Sequence, residues 1–229
     1  MQHYRKTRSS QLRSTRVRGA GFSLIELMIV LALFLVVSGM SFMALQPALK
    51  DGRANHAYEE VLMQLRIARQ RAIAERKQYI VCFGLTSPAG ALTPLGAPNT
   101  QTVQMYRWDA GTALSAAVQI SSNTLPSDMQ FLAVVGLPNG ATTVPDGFGT
   151  GTTAIDFDKG VAGAIPNQVM FMPDGSAHDT NGNWNSGVIY VGRVGDLYSS
   201  RAVTLYGATG RIRGWRLITF GGSPKWMQQ

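Results

Sequence analysis

From Leu27 to Leu45 the chain is apolar except for Ser38, Gly39 and Ser41, and one carboxylate, Glu26, stands at the head of the run. A bilayer core takes about 20 apolar residues at roughly 1.5 Å each, so this run is long enough to cross one. Any water-soluble domain is left to the residues that follow. An ionised Glu beside hydrocarbon costs on the order of a few kcal/mol, which makes a specific cationic partner the default expectation for Glu26. The plainer alternative is an uncleaved anchor whose Glu26 snorkels to the interface. A secretory signal peptide fits less well, because the run ends in Gln46-Pro47 without a small-residue cleavage pattern.

The formal charge of +8 reads at first as a nucleic-acid binder's. Arg5, Lys6, Arg8, Arg13, Arg16 and Arg18 account for most of it, and no acid precedes Gly21, so the chain from Phe22 onward carries only +2. Six cations before a span hold that end in the cytoplasm and place the carboxyl-terminal bulk across the membrane. The remaining charge is uneven: +3 over residues 50–77, −5 over 78–192 and +5 over 193–229, so only the last stretch is a candidate basic surface. Cys82 is the sole cysteine, and no intramolecular disulfide is possible. About 150 residues after the helix suffice for one self-contained core.

The segment Gly21-Phe22-Ser23-Leu24-Ile25-Glu26, with a basic leader before it and the apolar run after it, resembles the amino end of the type IV pilin superfamily. The resemblance implies that a prepilin peptidase cuts after Gly21 and that Phe22 becomes an N-methylated amino terminus. It also implies that Glu26 neutralises the terminal ammonium of Phe22 on a neighbouring subunit, in a setting whose low polarity strengthens the attraction.

Helical periodicity continues beyond the span. Ala54, Tyr58, Val61, Leu65, Ala68 and Ala72 form one apolar stripe, with Arg66, Arg69, Gln70 and Glu75 off it. A nearly continuous helix over 22–77 would be roughly 84 Å long, with a kink expected at Pro47. From Gln78 the pattern shortens to β-like runs: 79–83, 103–108, 117–120, 130–135, 154–157, 169–172, 188–191, 202–205, and 211–220 with a break near Gly214. Segments 84–101 and 136–152, rich in Gly, Pro and Thr, read as loops. The organisation is therefore a leader, 1–21; an amino-terminal helix with a transmembrane half and an amphipathic half, 22–77; and a β-rich domain, 78–229, in an α+β fold with the helix against antiparallel sheet.

Three patches carry a second resemblance, to the GspH/FimT group of minor pilins and pseudopilins: Leu65–Ile73 leading into the strand at Val81-Cys82, the Phe171-Met172-Pro173-Asp174-Gly175 turn, and Thr209-Gly210-Arg211-Ile212-Arg213. The resemblance implies two β-sheets packed against the helix.

Of the candidate binding motifs, Gly210-Arg211-Ile212-Arg213 is the richest. On a strand Arg211, Arg213 and Trp215 share a face while Ile212 points away, and two guanidiniums beside an indole suit phosphate and a stacked base. A similar Gly-Arg-x-Arg element contacts DNA in DNA-uptake members of the group, and Arg193, Arg201, Arg216 and Lys225 could extend the field. The alternative is a solvated edge strand whose arginines deter edge-to-edge pairing. Gly149-Thr150-Gly151-Thr152-Thr153-Ala154 fits a dinucleotide fingerprint in spelling only, since it has no strand before it and no helix after. Asp179, Asn181 and Asn183 imitate the start of an EF-hand loop, but Trp184 and Tyr190 stand where Gly and Glu are needed. His3, His56 and His178 are dispersed, so no metal site, cofactor or Cys/His nucleophile is expected. Tyr58 and Met63 read as core, and Asp174-Gly175 reads as a hairpin turn.

Three functions compete. The leading one is a non-catalytic minor pilin or pseudopilin, a single-pass inner-membrane protein with a periplasmic domain. It would be processed by prepilin peptidase and would join other subunits in a type IV pilus or a type II secretion machine. A DNA-binding minor pilin for natural transformation is second. A membrane-anchored periplasmic enzyme is third, weakened by the lack of a convergent nucleophile and base.

Overall fold

The computed structural model describes residues 22–84, 101–157 and 167–229. The chain divides into two units, residues 1–46 and 47–229. In the first, the described residues are Phe22, Ser23 and the opening of a helix, α1, whose bounds are Leu24–Glu75. The helix is assigned without interruption through Pro47. The leader, and with it Gly21, lies outside the described residues, as does nearly all of the loop expected at 84–101.

In the second unit the described strands are β1 (Gln78–Phe83), β2 (Thr102–Trp108), β3 (Val118–Thr124), β4 (Gln130–Phe131), β5 (Ile155–Phe157), β6 (Gln168–Phe171), β7 (Ala177–His178), β8 (Gly187–Arg193), β9 (Asp196–Tyr206), β10 (Arg211–Phe220) and β11 (Ser223–Gln228). They form two antiparallel sheets, ordered β3-β2-β1-β6-β7 and β11-β10-β9-β8-β4, with β5 also paired to β8. This is the expected α+β arrangement, one long helix packed against a two-sheet antiparallel domain.

Alternation along the strands decides which side chains meet the helix. Tyr79, Val81 and Phe83 of β1 share one core with Val203 and Leu205 of β9, and with Ala54, Tyr58, Val61, Leu65, Ala68 and Ala72, the whole stripe read from the helix. The alternate β1 residues, Ile80 and Cys82, pack with Tyr106 and Met170 on the other side of the first sheet. Val188, Tyr190, Ala202, Leu217 and Trp226 form a third cluster on the outer side of the second sheet, with Leu137 from the segment after β4 over it.

Three expectations are corrected. Met63 is 57% exposed rather than core. The strand at 130–135 is only two residues long, because its continuation, with Leu137, crosses the outer face of the second sheet. β10 runs unbroken through Gly214: a side chain there would collide with the Tyr58 ring and hydroxyl, so glycine is required by helix-on-strand approach, and the ladder continues through it. The β10–β11 hairpin adds a strand, Ser223–Gln228, absent from the sequence reading because Pro224 and a short alternation disguised it.

Candidate assembly interface and the charged surface

At the amino end, the Ser23 carbonyl accepts the Leu27 N–H at 3.1 Å, so Ser23 caps α1, which begins at Leu24, two residues after Phe22. Glu26 lies in the first helical turn, where a carboxylate complements the helix dipole. Phe22 is 78% exposed, and Glu26 forms no ion pair with any described residue. The apolar stretch is exposed throughout, so by length and composition the helix can cross a membrane. A helix apolar all round needs an apolar surrounding, lipid or protein.

In the second unit, one side chain joins the three patches of the second resemblance. Arg69 donates through Nε to the Gly175 carbonyl and through Nη2 to the Thr209 carbonyl, 3.1 Å in each case. The helix is thus tied to the β6–β7 turn and to the β9–β10 turn. Both turns close there through left-handed glycines, Gly175 at φ +84° and Gly210 at φ +60°, and a Cβ on Gly210 would run into the Gly175 carbonyl and the Arg69 Nε. The Asp174-Gly175 turn is the expected hairpin turn, with Asp174 Oδ1 accepting the Ser176 amide at 2.8 Å and its hydroxyl at 2.5 Å.

A family model described as the prokaryotic N-terminal methylation motif matches residues 16–42. With Phe22, Glu26 and the apolar helix in register, it supports a type IV pilin or pseudopilin. Among solved structures, the minor pseudopilin EpsH of the Vibrio cholerae type 2 secretion system is similar at 12% identity with a TM-score of 0.42, covering 72% of this chain and 97% of that one. The type IV minor pilin FimU of Pseudomonas aeruginosa is similar at 11% identity with a TM-score of 0.40, covering 70% and 87%. No curated protein matches the chain.

The basic carboxyl-terminal stretch is largely neutralised within the domain. Arg193 pairs with Asp128 at 2.7 Å and Asp196 at 2.9 Å. Arg201, fully buried, donates Nε and Nη2 to Asn55 Oδ1 at 3.1 and 2.9 Å and Nη1 to the carbonyls of Tyr198 and Ser200, fastening β9 to the helix. Arg216 reaches Asp51 at 3.5 Å. Lys225 lies over the Phe220 ring at 5.0 Å.

Arg211, Arg213 and Trp215 do share a face of β10, as alternation requires, but they do not form an open platform. Arg213 pairs with Asp146 at 2.5 Å, and that carboxylate is 4% exposed. The Trp215 indole N–H donates to Thr204 Oγ1 at 3.0 Å, and the Thr204 hydroxyl donates to the other Asp146 oxygen at 2.5 Å. Asp146 reaches them from the Pro145–Gly147 turn, where its own φ is +53°, a conformation Asp tolerates better than most residues. Burial, with the Asp146 carboxylate adding to it, pushes the Tyr206 hydroxyl above its ordinary pKa. Of the three, Arg211 alone is exposed. Sequence reading missed Asp146 because it sits 67 residues from Arg213 in a Gly/Thr/Pro-rich loop.

The remaining candidates have structural occupations. Asp179 Oδ1 accepts the amides of Asn181 and Asn183 at 2.9 and 2.8 Å, closing its own turn, and no metal-binding group of His, Cys, Asp or Glu occurs among the described residues. Gly149 to Ala154 is loop, with Gly149 pressed against Val188. The structure does bring together one row that the sequence reading overlooked, Asp174, Ser176 and His178, alternate residues across the β6–β7 turn. Its order is wrong for nucleophilic catalysis. The carboxylate bonds the serine, and the imidazole Nδ1 faces the Gly182 carbonyl at 2.8 Å, whereas an activated serine needs the imidazole between itself and the acid. Ser176 is also buried. Cys82 is buried, and desolvation pushes its thiol well above the ordinary range, which disfavours the nucleophilic thiolate.

Proposed function

We propose that this chain is a non-catalytic minor pilin or pseudopilin that waits in the inner membrane, amino end in the cytoplasm and β domain in the periplasm, before entering a filament of a type IV pilus or a type II secretion machine. Prepilin peptidase removes the leader after Gly21, and Phe22 becomes the methylated terminus. The observation that carries this reading is the helix that starts at Leu24, two residues after Phe22, with Glu26 in its first turn and its apolar stretch wholly exposed. Glu26 then has a partner only when a second subunit brings its Phe22 ammonium alongside. The DNA-receptor alternative loses its platform, because Arg213 and Trp215 are engaged with Asp146 and Thr204. An anchored enzyme finds no support in the Asp174, Ser176 and His178 row, for the reason of order given above.

The test is Glu26→Ala in a host with the assembly machinery. The variant should insert into the membrane and fold as wild type yet fail to enter the filament, with Glu26→Asp impaired less. Normal incorporation of the Ala variant would contradict the proposal.

A further inference from the structure

Three turns meet at one end of the second sheet, and each carries an exposed apolar side chain. Val194 stands in the β8–β9 turn, where Arg193 lies opposite Asp196, and Phe220 closes β10 opposite Ser223 at the β10–β11 turn. Register brings these two turns together. β9 and β10 pair through Arg201 and Arg216, so the residues from Arg201 back to Asp196 and from Arg216 on to Phe220 run toward the same end. There Asp196 and Tyr198 of β9 and Ile218 and Thr219 of β10 line one cavity, with Asp51 of the helix beside them. The third turn follows β4: a Cβ on Gly136 would lie 3.5 Å from Leu197 Cδ2, which sets Val135 next to the start of β9. Val135, Val194 and Phe220 are 95, 71 and 65% exposed. A Cβ added at Gly195, Gly221 or Gly222 would meet nothing, so the two hairpin tips project into open space.

This is also the end at which the helix enters the domain. Arg193 Nη2 donates to the Lys50 carbonyl at 3.2 Å, and Arg216 and Arg201 reach Asp51 at 3.5 and 3.7 Å. Lys50 follows Leu45, the last residue of the apolar run, by five residues, which is about 7.5 Å at the helical rise and at most about 18 Å fully extended. The headgroup layer on each side of the hydrocarbon core is about 5–8 Å deep, so chain length alone keeps these turns within reach of a bilayer that residues 27–45 cross. Single exposed apolar residues need no explanation, but three on adjoining turns make a patch whose side chains gain by leaving water. The charges suit a lipid surface too. Asp51, Asp128 and Asp196 at this end are each paired to arginine, which masks them from lipid phosphates. Exposed Lys225 lies over the Phe220 ring at 5.0 Å, and a cation beside an aromatic ring suits the membrane–water boundary.

We propose that Val135, Val194 and Phe220 form a lipid-contacting rim by which the β domain rests on the bilayer that its own helix crosses. The inference rests on the reading of residues 27–45 as a membrane span, and it requires neither filament entry nor any arginine of β10.

The experiment reconstitutes the full chain in vesicles of phosphatidylethanolamine and phosphatidylglycerol, with an environment-sensitive fluorophore on one introduced cysteine at a time. Cys82 is buried and its thiol disfavours the thiolate, so the introduced cysteine takes the label. Labels on Val194→Cys and Phe220→Cys should lose most of their emission when the vesicles contain lipid with a nitroxide near the headgroup end of its acyl chain. A label on Ala208→Cys, exposed in the turn at the opposite end of β9 and β10, should lose little. Val36→Cys, with a mid-chain nitroxide, reads the span itself. Quenching at Val36 without quenching at Val194 and Phe220 would overturn the rim and leave the span standing, whereas no quenching at Val36 would overturn both. A blue shift at Val194 and Phe220 without lipid quenching would mean that protein covers the tips, and quenching at Ala208 equal to theirs would mean contact without a preferred face. Either result contradicts the proposal.

Discussion

Arg69 shows how one residue on the polar side of a helix can set the geometry of a β domain. The hydrophobic stripe buries Leu65, Ala68 and Ala72 but leaves the turns beyond the sheet unattached; the two carbonyl bonds made by Arg69 attach them. Hydrogen bonds from a charged donor contribute more than neutral ones, and removing this donor leaves two carbonyls to find water. Arg69→Met should therefore lower unfolding free energy by about 1–3 kcal/mol in urea melts. Gly210→Ala should be at least as damaging, because it combines a left-handed backbone with a collision against the Gly175 carbonyl, whereas Gly182→Ala, also left-handed at φ +86° but in open space, should cost only the backbone term, about 1–2 kcal/mol. Equal costs at the two glycines would mean that the close approach of the turns is not what Gly210 secures.

At the scale of elements, β10 separates two roles that its sequence runs together. Ile212 and Gly214 face the helix, while Arg213, Trp215 and Leu217 face the outer cluster that the 132–152 segment covers. Arg213→Ala strands a nearly buried Asp146 and should cost about 2–4 kcal/mol in stability, while exposed Arg211→Ala should stay within about 0.5 kcal/mol of wild type. Melting curves of the two variants decide this, and matching curves would contradict it. The helix stripe, most strand positions and the shared face of Arg211 and Arg213 were legible because periods of 3.6 and 2 are written in adjacent residues. What stood opposite that face was not. Asp146 arrives from a loop whose composition says only that it turns, and the requirement for Gly214 comes from Tyr58, more than a hundred and fifty residues earlier. The basic tail misled for the same reason: charge counted along a sequence omits the carboxylates that folding brings to it.

For the whole molecule, the question is what becomes of the apolar helix that the described residues leave uncovered. As a permanent anchor it would need neither a Gly21-Phe22 junction nor an acid in its first turn; as a subunit passed from lipid to filament it needs both. On the proposed function, the Gly21-Phe22 junction, Glu26 and the exposed helix serve the second course, and the β domain, with its own core, is the part left to the aqueous side. The most direct measurement is the intact mass of the protein purified from a host that has prepilin peptidase. The account predicts a single species beginning at methylated Phe22, and a chain still beginning at Met1 in that host would contradict it.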